Sequence, residues 1–347
     1  MSAELTHKNY NKIIRMVCGY FGCILILGMV TLLWYLGFIS FDTNKELSSN
    51  FDNLFYMNYE VAQLEDTPEN DLTKYGYQLF KDTPKFLGPD NEGANEVFSG
   101  NRLSCNNCHL NSGTKPYAAP LIGITNRFPQ YRGRENKTGT IEERINGCFE
   151  RSLNGKMLPP TSREMKAYVS YLSFLSRYAP EDGNVTGKGF TTIKIPERAI
   201  NVVKGEHIYN NVCFRCHGNN GQGVMSANGY TYEYPPLWGN DSYNNGAGMN
   251  RVITAAQFIK ANMPFDDLYE SQKLTDEEAY DVAGYINQMQ RPTKPNLEVD
   301  FPDLLKKPVS TPYPPYADPF SLNQHQKGPF QPIIEFYKKK HNIKKTK

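Results

Sequence analysis

Two five-residue motifs carry the clearest chemistry in this sequence. Cys105-Asn106-Asn107-Cys108-His109 and Cys213-Phe214-Arg215-Cys216-His217 each place a histidine directly after the second of two cysteines. Thiols at this spacing can form thioether bonds to the vinyl groups of one porphyrin, and the adjacent imidazole then faces the iron. Structural zinc or a redox dithiol is the alternative, and two such motifs in matching surroundings argue against it. We predict two covalently bound haem c groups, with His109 and His217 as proximal iron ligands.

The sixth ligand of each iron decides function, because it sets the reduction potential and access to the metal. After the second motif, Met263 precedes Pro264 at the end of a predicted helix. This arrangement is usual in small cytochromes c, and a thioether ligand closes the iron and suits electron transfer. Met263 is therefore the predicted distal ligand of the second haem, with Met225 and Met249 as rivals.

After the first motif, two side chains compete for the distal position. Met157 is the positional counterpart of Met263, whereas Cys148 is a lone cysteine nearer to the motif. Arg144, Cys148 and Ser152 follow at four-residue intervals, which places them on one face of a predicted helix. Arg144 would favour a thiolate, the form that nucleophiles and metal ligands need, and Arg134 is a further possible cation. The residues alone leave the choice between Cys148 and Met157 open.

The elements that must position these residues are helices. Apolar periodicity and capping signals predict them on both sides of each haem motif. The expected ranges are 71–81, 140–154, 162–178, 199–210, 250–262 and 275–289. Both halves share the order helix, haem motif, irregular loop, helix, helix. That order indicates a tandem duplication of a small haem-binding unit.

The domain organisation follows from composition. The fold class is predicted as mainly α, with an N-terminal transmembrane helix, two tandem cytochrome c-like helical domains and an extended Pro-rich C-terminal tail. The expected segments are a cytoplasmic N-terminus (1–15), an anchor (16–41), a stalk (42–69), domain 1 with the catalytic haem (70–178), a linker (179–198), domain 2 with the electron-transfer haem (199–291) and the tail (292–347). We expect the tail to wrap over the domains in extended conformation.

Charge and hydropathy predict the location. Residues 16–41 carry no charged side chain. This segment is long enough to form one bilayer-spanning helix. Lys8, Lys12 and Arg15 precede this segment, and this positive flank favours a cytoplasmic N-terminus. We expect a single-pass protein of the cytoplasmic membrane with its haem domains in the periplasm. The net charge of +2 indicates no nucleic-acid partner.

A longer stretch around the lone cysteine resembles a known family. Residues 147–156, Gly-Cys-Phe-Glu-Arg-Ser-Leu-Asn-Gly-Lys, are similar to the dihaem thiosulfate dehydrogenases, some of which also act as tetrathionate reductases. The resemblance covers both haem domains, and residues 313–320 and 328–330 of the tail also resemble this family. It implies that Cys148 is the distal ligand of the first haem and that Asn262-Met263 matches the family's second distal site. It places the active-site arginines and serine on Arg134, Arg144 and Ser152.

The implied reaction is oxidation of two thiosulfate ions to tetrathionate, with electrons passing from haem 1 to haem 2 and then to an acceptor cytochrome c. Guanidinium groups suit these dianions, because they offer bidentate, charge-assisted hydrogen bonds. Cys148 is also expected to bond covalently to the outer sulfur of the substrate, with Ser152 helping to orient it. The preferred direction of the reaction does not follow from the residues.

Other classes of protein fit parts of the pattern. A membrane-tethered dihaem electron carrier without catalytic activity would use His/Met ligation at both irons, with Met157 at the first. A dihaem peroxidase needs an iron with an open or displaceable site, and no motif for one is present. A subunit that carries sulfur on Cys148 for a partner is a further alternative.

Overall fold

The computed structural model describes residues 16–17, 19–22, 24, 28–29, 53–91, 96–265 and 273–346.

Two helices cross at a glycine in the first half of the chain. Helix α1 (Pro68–Lys81) packs against α4 (Arg163–Ser176). A Cβ atom on Gly76 would lie 2.0 Å from the carbonyl oxygen of Ala167, so only glycine allows this approach. Leu79, Phe80 and Leu175 fill the core beside the crossing.

The second half repeats this crossing. Helix α5 (Val202–Ile208) packs against α8 (Asp276–Asn287), and a Cβ atom on Gly205 would lie 2.2 Å from the carbonyl oxygen of Asp281. In each half, the facing helix also places a tyrosine Cβ atom close to the glycine. This tyrosine is Tyr171 in the first half and Tyr285 in the second. The same kind of contact therefore recurs in both halves, as a tandem duplication would predict.

The remaining elements are short and lie around the haem motifs. A π-helical turn, Tyr209–Cys213, continues α5 into the second motif. Two small antiparallel hairpins pair Arg132 with Lys137 and Val224 with Tyr234. The other helices and strands are α2 (Thr83–Leu87), β1 (Gln130–Arg132), β2 (Lys137–Gly139), α3 (Ile141–Arg151), α6 (Phe214–His217), β3 (Val224–Met225), β4 (Tyr232–Tyr234) and α7 (Val252–Asn262), and the short helical turn Leu110–Gly113 follows the first motif. The helices predicted from periodicity are confirmed, and their ends differ by a few residues.

The predicted linker packs along its length. The backbone amides of Tyr117 and Ala119 donate to the carbonyls of Gly187 and Gly189, which attaches it to the loop after the first haem motif. Ile193 and Ile195 then pack against the core of the second half. The linker therefore joins the two halves through hydrogen bonds and apolar contacts.

The C-terminal tail also packs closely, but it is only partly extended. Two helices occur in it, α9 (Leu322–Lys327) and α10 (Gln331–His341), which corrects the prediction of a wholly extended tail. Pro332 lies in the first turn of α10, where proline is tolerated, and no proline follows to stop the helix. Phe330, Ile333 and Tyr337 are buried in the core of the second half.

The structure contradicts the prediction of a transmembrane helix. A bilayer-spanning helix needs about 20 apolar residues. In the part of the chain that the structure describes, no helix combines that length with that apolar character. Much of the predicted span 16–41, and all of the predicted cytoplasmic segment 1–15, lies outside the described residues. The fold class that the structure supports is mainly α, with two helical haem-binding domains.

Candidate active site at the first haem motif

Helix α3 carries the lone cysteine, and its start is fixed by a capping box. The Thr140 hydroxyl accepts from the backbone amide of Glu143, and the Glu143 carboxylate accepts from the backbone amide of Thr140. These reciprocal bonds satisfy two amides that the helix leaves unpaired. The last turn of α3 ends at Ser152, whose backbone amide donates to the carbonyl of Cys148.

A cavity beside α3 brings most of the predicted site together. Its walls include Cys105, Cys108, His109, Arg144, Cys148 and Ser152. The Nδ1 atom of His109 lies 2.7 Å from the carbonyl oxygen of Ala119. A carbonyl can only accept, so Nδ1 carries the proton and Nε2 is left as a free ligand atom. This donor set fits a covalently attached haem with His109 as its proximal ligand.

The Cys148 sulfur lies in a cationic environment. The Nη1 atom of Arg144 donates to the Cys148 sulfur at 3.0 Å. Burial alone would raise the pKa of this thiol, but the Arg144 guanidinium beside the sulfur outweighs burial, and the pKa falls to about 6. Cys148 and His109 face each other across the cavity, and the sulfur is therefore held as a thiolate.

The alternative ligand of the first haem lies elsewhere. The side chain of Met157 is 59% exposed, whereas the neighbouring Leu158 is buried in the core. An exposed thioether is unsuited to close the buried face of an iron centre. The geometry of the described residues favours Cys148 over Met157.

The second haem motif opens onto its own cavity. Cys213, Cys216, His217 and Met263 line it, and Met249 lines it as well. The Nδ1 atom of His217 lies 2.8 Å from the carbonyl oxygen of Pro235, so this histidine also presents Nε2 as its ligand atom. Met263 caps the end of α7, and Met225 lies on β3. Assignment of Met263 as distal ligand stays a prediction.

The two cavities adjoin each other. Leu103, Ser104 and Cys108 line both of them. The Asn107 side chain of the first motif donates to the carbonyl of Tyr232 at 2.9 Å, which links the motif to β4 of the second half. The two motifs would therefore hold their haem groups in adjoining cavities.

Arg134 has a different environment from Arg144. Its Nη1 atom lies 2.5 Å from the Asp300 carboxylate of the tail and also donates to the carbonyl of Gly246 and the hydroxyl of Tyr313. The structure therefore joins the predicted catalytic Arg134 to the tail, while Arg144 and Ser152 lie at the cavity beside Cys148.

Sequence reasoning missed the partners in this network. Arg151 forms a second ion pair with Asp300, at 2.6 Å, and both side chains are buried. Arg251 lies among the same cations, as the effect of Arg134 and Arg144 on its pKa shows. Arg151 could have been noticed within the motif around Cys148. Asp300 and Arg251 lie a hundred residues or more from α3, so no local spacing indicates them.

Two family models match the chain, one for each half. Residues 95–180 match the model described as SoxA/TsdA, cytochrome c domain, and residues 202–290 match the model described as Cytochrome c. The matched ranges each contain one haem motif. The protein therefore has two cytochrome c domains with two covalently attached haem c groups.

Curated proteins and a solved structure resemble the chain over both domains. The thiosulfate dehydrogenase of Stutzerimonas stutzeri is 37% identical over 242 residues, which cover 69% of this chain and 75% of that protein. The thiosulfate dehydrogenase of Allochromatium vinosum is 43% identical over 221 residues, covering 62% of this chain and 77% of that protein. The solved thiosulfate dehydrogenase (TsdBA) of Marichromatium purpuratum matches with a TM-score of 0.61 and 34% identity, over 68% of this chain and 49% of that one.

Proposed function

The chain belongs to the thiosulfate dehydrogenase family, and from that premise we propose that it oxidises two thiosulfate ions to tetrathionate. The observation that carries the proposal is the Cys148 sulfur, which lies opposite His109 and accepts a hydrogen bond from Arg144. A sulfur kept anionic beside a guanidinium is the nucleophile that sulfur-transfer chemistry needs. The relatives named above carry the same activity in their names.

The reaction proceeds in two sulfur–sulfur bond steps. In the first, the Cys148 thiolate and the outer sulfur of one thiosulfate form a bond and release two electrons, which leaves a cysteine-bound thiosulfate of charge −1. In the second, the outer sulfur of another thiosulfate attacks the outer sulfur of that adduct. The bond to Cys148 breaks, tetrathionate leaves with charge −2 and the thiolate returns. No proton is taken up or lost.

The side chains around Cys148 have separate roles in this scheme. Arg144 holds the thiolate and offsets the repulsion between the incoming dianions. Ser152, at the same cavity, offers a hydroxyl to orient the outer sulfur. Arg134 contributes less directly, because its guanidinium is paired with Asp300.

Electron removal is the part of the chemistry that the cofactors supply. Two haem c groups, held at Cys105, Cys108 and His109 and at Cys213, Cys216 and His217, would together supply acceptors for the two electrons, and we propose that the first domain passes electrons to the second and then to an acceptor cytochrome. Leu103, Ser104 and Cys108, which line both cavities, support this route. His109, Cys148, His217 and Met263 are the proposed iron ligands.

Direction and location are part of the proposal. Tetrathionate reduction is the same two bond steps in reverse and needs no further residue, so we propose that the protein runs both ways. We also propose that the haem domains work on the extracytoplasmic side, because an apolar segment behind Lys8, Lys12 and Arg15 favours export of the domains C-terminal to it.

Replacement of the sulfur tests the proposal. Cys148→Ala should abolish thiosulfate oxidation while both haems stay attached, because their thioether bonds use other cysteines. The assay follows reduction of an acceptor by purified protein, with haem content measured by pyridine haemochrome spectra. Met157→Ala is the matched control and should keep full activity, because that side chain is exposed. Near-normal activity in Cys148→Ala, or loss of activity in Met157→Ala, would refute Cys148 as the nucleophile and favour Met157 as the distal ligand of the first haem. Absence of thiosulfate oxidation in the unsubstituted protein would instead favour an electron carrier with His/Met ligation at both irons.

A further inference from the structure

A loop of the second domain lies directly on the end of the helix that carries Cys148. The backbone amide of Asn244 donates to the carbonyl of Arg151 at 3.1 Å. The Asn244 side-chain amide donates to the carbonyl of Glu150 at 2.8 Å and to the side chain of Asn154 at 3.0 Å. These bonds fix the start of α7, which follows this loop, beside the active site.

Arg251 is the residue just before α7, and it has no carboxylate partner among the described residues. Its Nε atom donates to the carbonyl of Gly248 at 3.3 Å. Burial and the neighbouring Arg134 lower its pKa to about 9, with Arg144 and Arg151 contributing in the same direction. A partly buried guanidinium among other cations is costly unless an anion joins it.

The positive charges around Arg251 are only partly paired with negative groups of the protein. Arg134 and Arg151 share the carboxylate of Asp300, at 2.5 and 2.6 Å. Arg144 donates a hydrogen bond to the Cys148 sulfur. Among these four arginines, Arg251 is the one that contacts neither a carboxylate nor a sulfur in the described part of the chain, and its Nε donates only to the carbonyl of Gly248.

The first turn of α7 adds further donors. Its N-cap residue is Arg251, and no side chain caps the helix, unlike α3 and α8, which both have capping boxes. The amides of a helix's first turn point outward unpaired, and the dipole favours an anion there. The hydroxyl of Thr254, in that turn, is 2% exposed and has no hydrogen-bond partner among the described residues.

We propose that Arg251, the first-turn amides of α7 and the Thr254 hydroxyl bind the sulfonate group of the second thiosulfate. This inference rests on the proposed function, because tetrathionate carries a sulfonate at each end and needs two anion subsites. Arg144 serves the sulfonate next to Cys148, and Arg251 serves the far one. Thiosulfate docked at Arg251 presents its outer sulfur towards the cysteine-bound adduct, which it attacks in the second bond step.

Tetrathionate binding tests the subsite without turnover. In a Cys148→Ala background the oxidised holoprotein holds both sulfonates but lacks the nucleophile, so calorimetry reports equilibrium affinity. Adding Arg251→Gln should weaken binding about tenfold or more, because charge-assisted hydrogen bonds are lost. Arg251→Lys should restore part of the affinity, and Thr254→Val should weaken binding by a smaller factor. Arg163→Gln, an exposed arginine in α4, is the matched control and should leave affinity unchanged.

A haem propionate is the alternative anion that Arg251 could bind. A second measurement distinguishes a propionate from the thiosulfate sulfonate. With Cys148 in place, Arg251→Gln should raise the KM for thiosulfate and leave both haem midpoint potentials unchanged in spectroelectrochemical titration. A shifted potential with unchanged tetrathionate affinity would overturn the subsite and assign Arg251 to a propionate. If the unsubstituted protein oxidises thiosulfate but Arg251→Gln changes neither affinity nor KM, this inference alone fails. Absence of thiosulfate oxidation in the unsubstituted protein would instead refute the proposed function.

Discussion

Arg144 and Cys148 stand one helical turn apart, and their contact is the centre of the site. A guanidinium 3.0 Å from a sulfur stabilises the thiolate by a charge-assisted hydrogen bond. Such bonds contribute about 1.5–3 kcal/mol. The reactivity of the site therefore depends on one pair of side chains that the helix itself brings together.

Removal of the Arg144 charge should lower catalysis without removing the sulfur. We expect Arg144→Gln to reduce kcat/KM for thiosulfate about 10- to 100-fold, which corresponds to the free energy of the lost bond. Arg144→Lys keeps a positive charge and should lose less. Steady-state kinetics with an acceptor cytochrome measures both variants. Equal activity of Arg144→Gln and the unsubstituted protein would show that the thiolate does not depend on this contact.

The sequence predicted this pair because a four-residue interval on a helix is local information. It also predicted that Ser152 lies on the same face, and the structure places Ser152 at the same cavity. The environment of Arg134 could not be predicted, because its partner Asp300 is far away in sequence. Charge type alone does not tell whether an arginine faces a substrate or a carboxylate of its own chain.

Each haem domain is organised around one glycine at a helix crossing. Gly76 of α1 lies against the backbone of Ala167, and Gly205 of α5 lies against the backbone of Asp281. The sequence predicted both pairs of helices from apolar periodicity. It did not predict the crossings, because close approach depends on the facing backbone, which lies on a different helix.

Adding one methyl group at either crossing tests the importance of the close approach. Alanine would stabilise an isolated helix by about 1 kcal/mol relative to glycine. The added Cβ would meet a backbone carbonyl at 2.0 or 2.2 Å, which cannot move aside cheaply. We therefore expect Gly76→Ala and Gly205→Ala to destabilise the protein by about 1–3 kcal/mol or more in denaturant titrations. Val203→Ala, at a position 75% exposed in α5, is the control and should change stability little. Stabilisation by either glycine replacement would contradict the crossing geometry.

At the scale of the whole molecule, the tail connects both haem domains. Asp300 pairs with Arg134 and Arg151 of the first domain, while Phe330 and Ile333 lie in the core of the second. The proline-rich composition predicted that the tail wraps over the domains. It could not show which residues anchor it, or that α10 forms where the prolines end. These features depend on contacts with distant parts of the chain.

The Asp300 anchor should make stability depend on pH. Burial raises the pKa of this carboxyl, but Arg151 and Arg134 outweigh burial, so the pKa lies below its usual value of 3.8. A carboxyl with a lowered folded-state pKa stabilises the protein above its unfolded-state pKa. That contribution is lost as the pH falls from about 4 through the folded-state pKa. Asp300→Asn removes the charge at every pH and leaves two arginines without their carboxylate.

We expect Asp300→Asn to lower the free energy of unfolding at pH 7 by about 3–5 kcal/mol, because it breaks a buried ion pair from one side. The difference from the unsubstituted protein should narrow as the pH drops below about 4, where the native carboxyl becomes protonated as well. Urea titrations of both proteins across this pH range measure the difference, and comparing the two removes the effect of other titrating groups. Limited proteolysis at neutral pH should also cut residues 292–330 faster in the variant, since the tail loses its attachment to the first domain. A stability difference that stays constant with pH, together with unchanged proteolysis, would show that Asp300 does not anchor the tail.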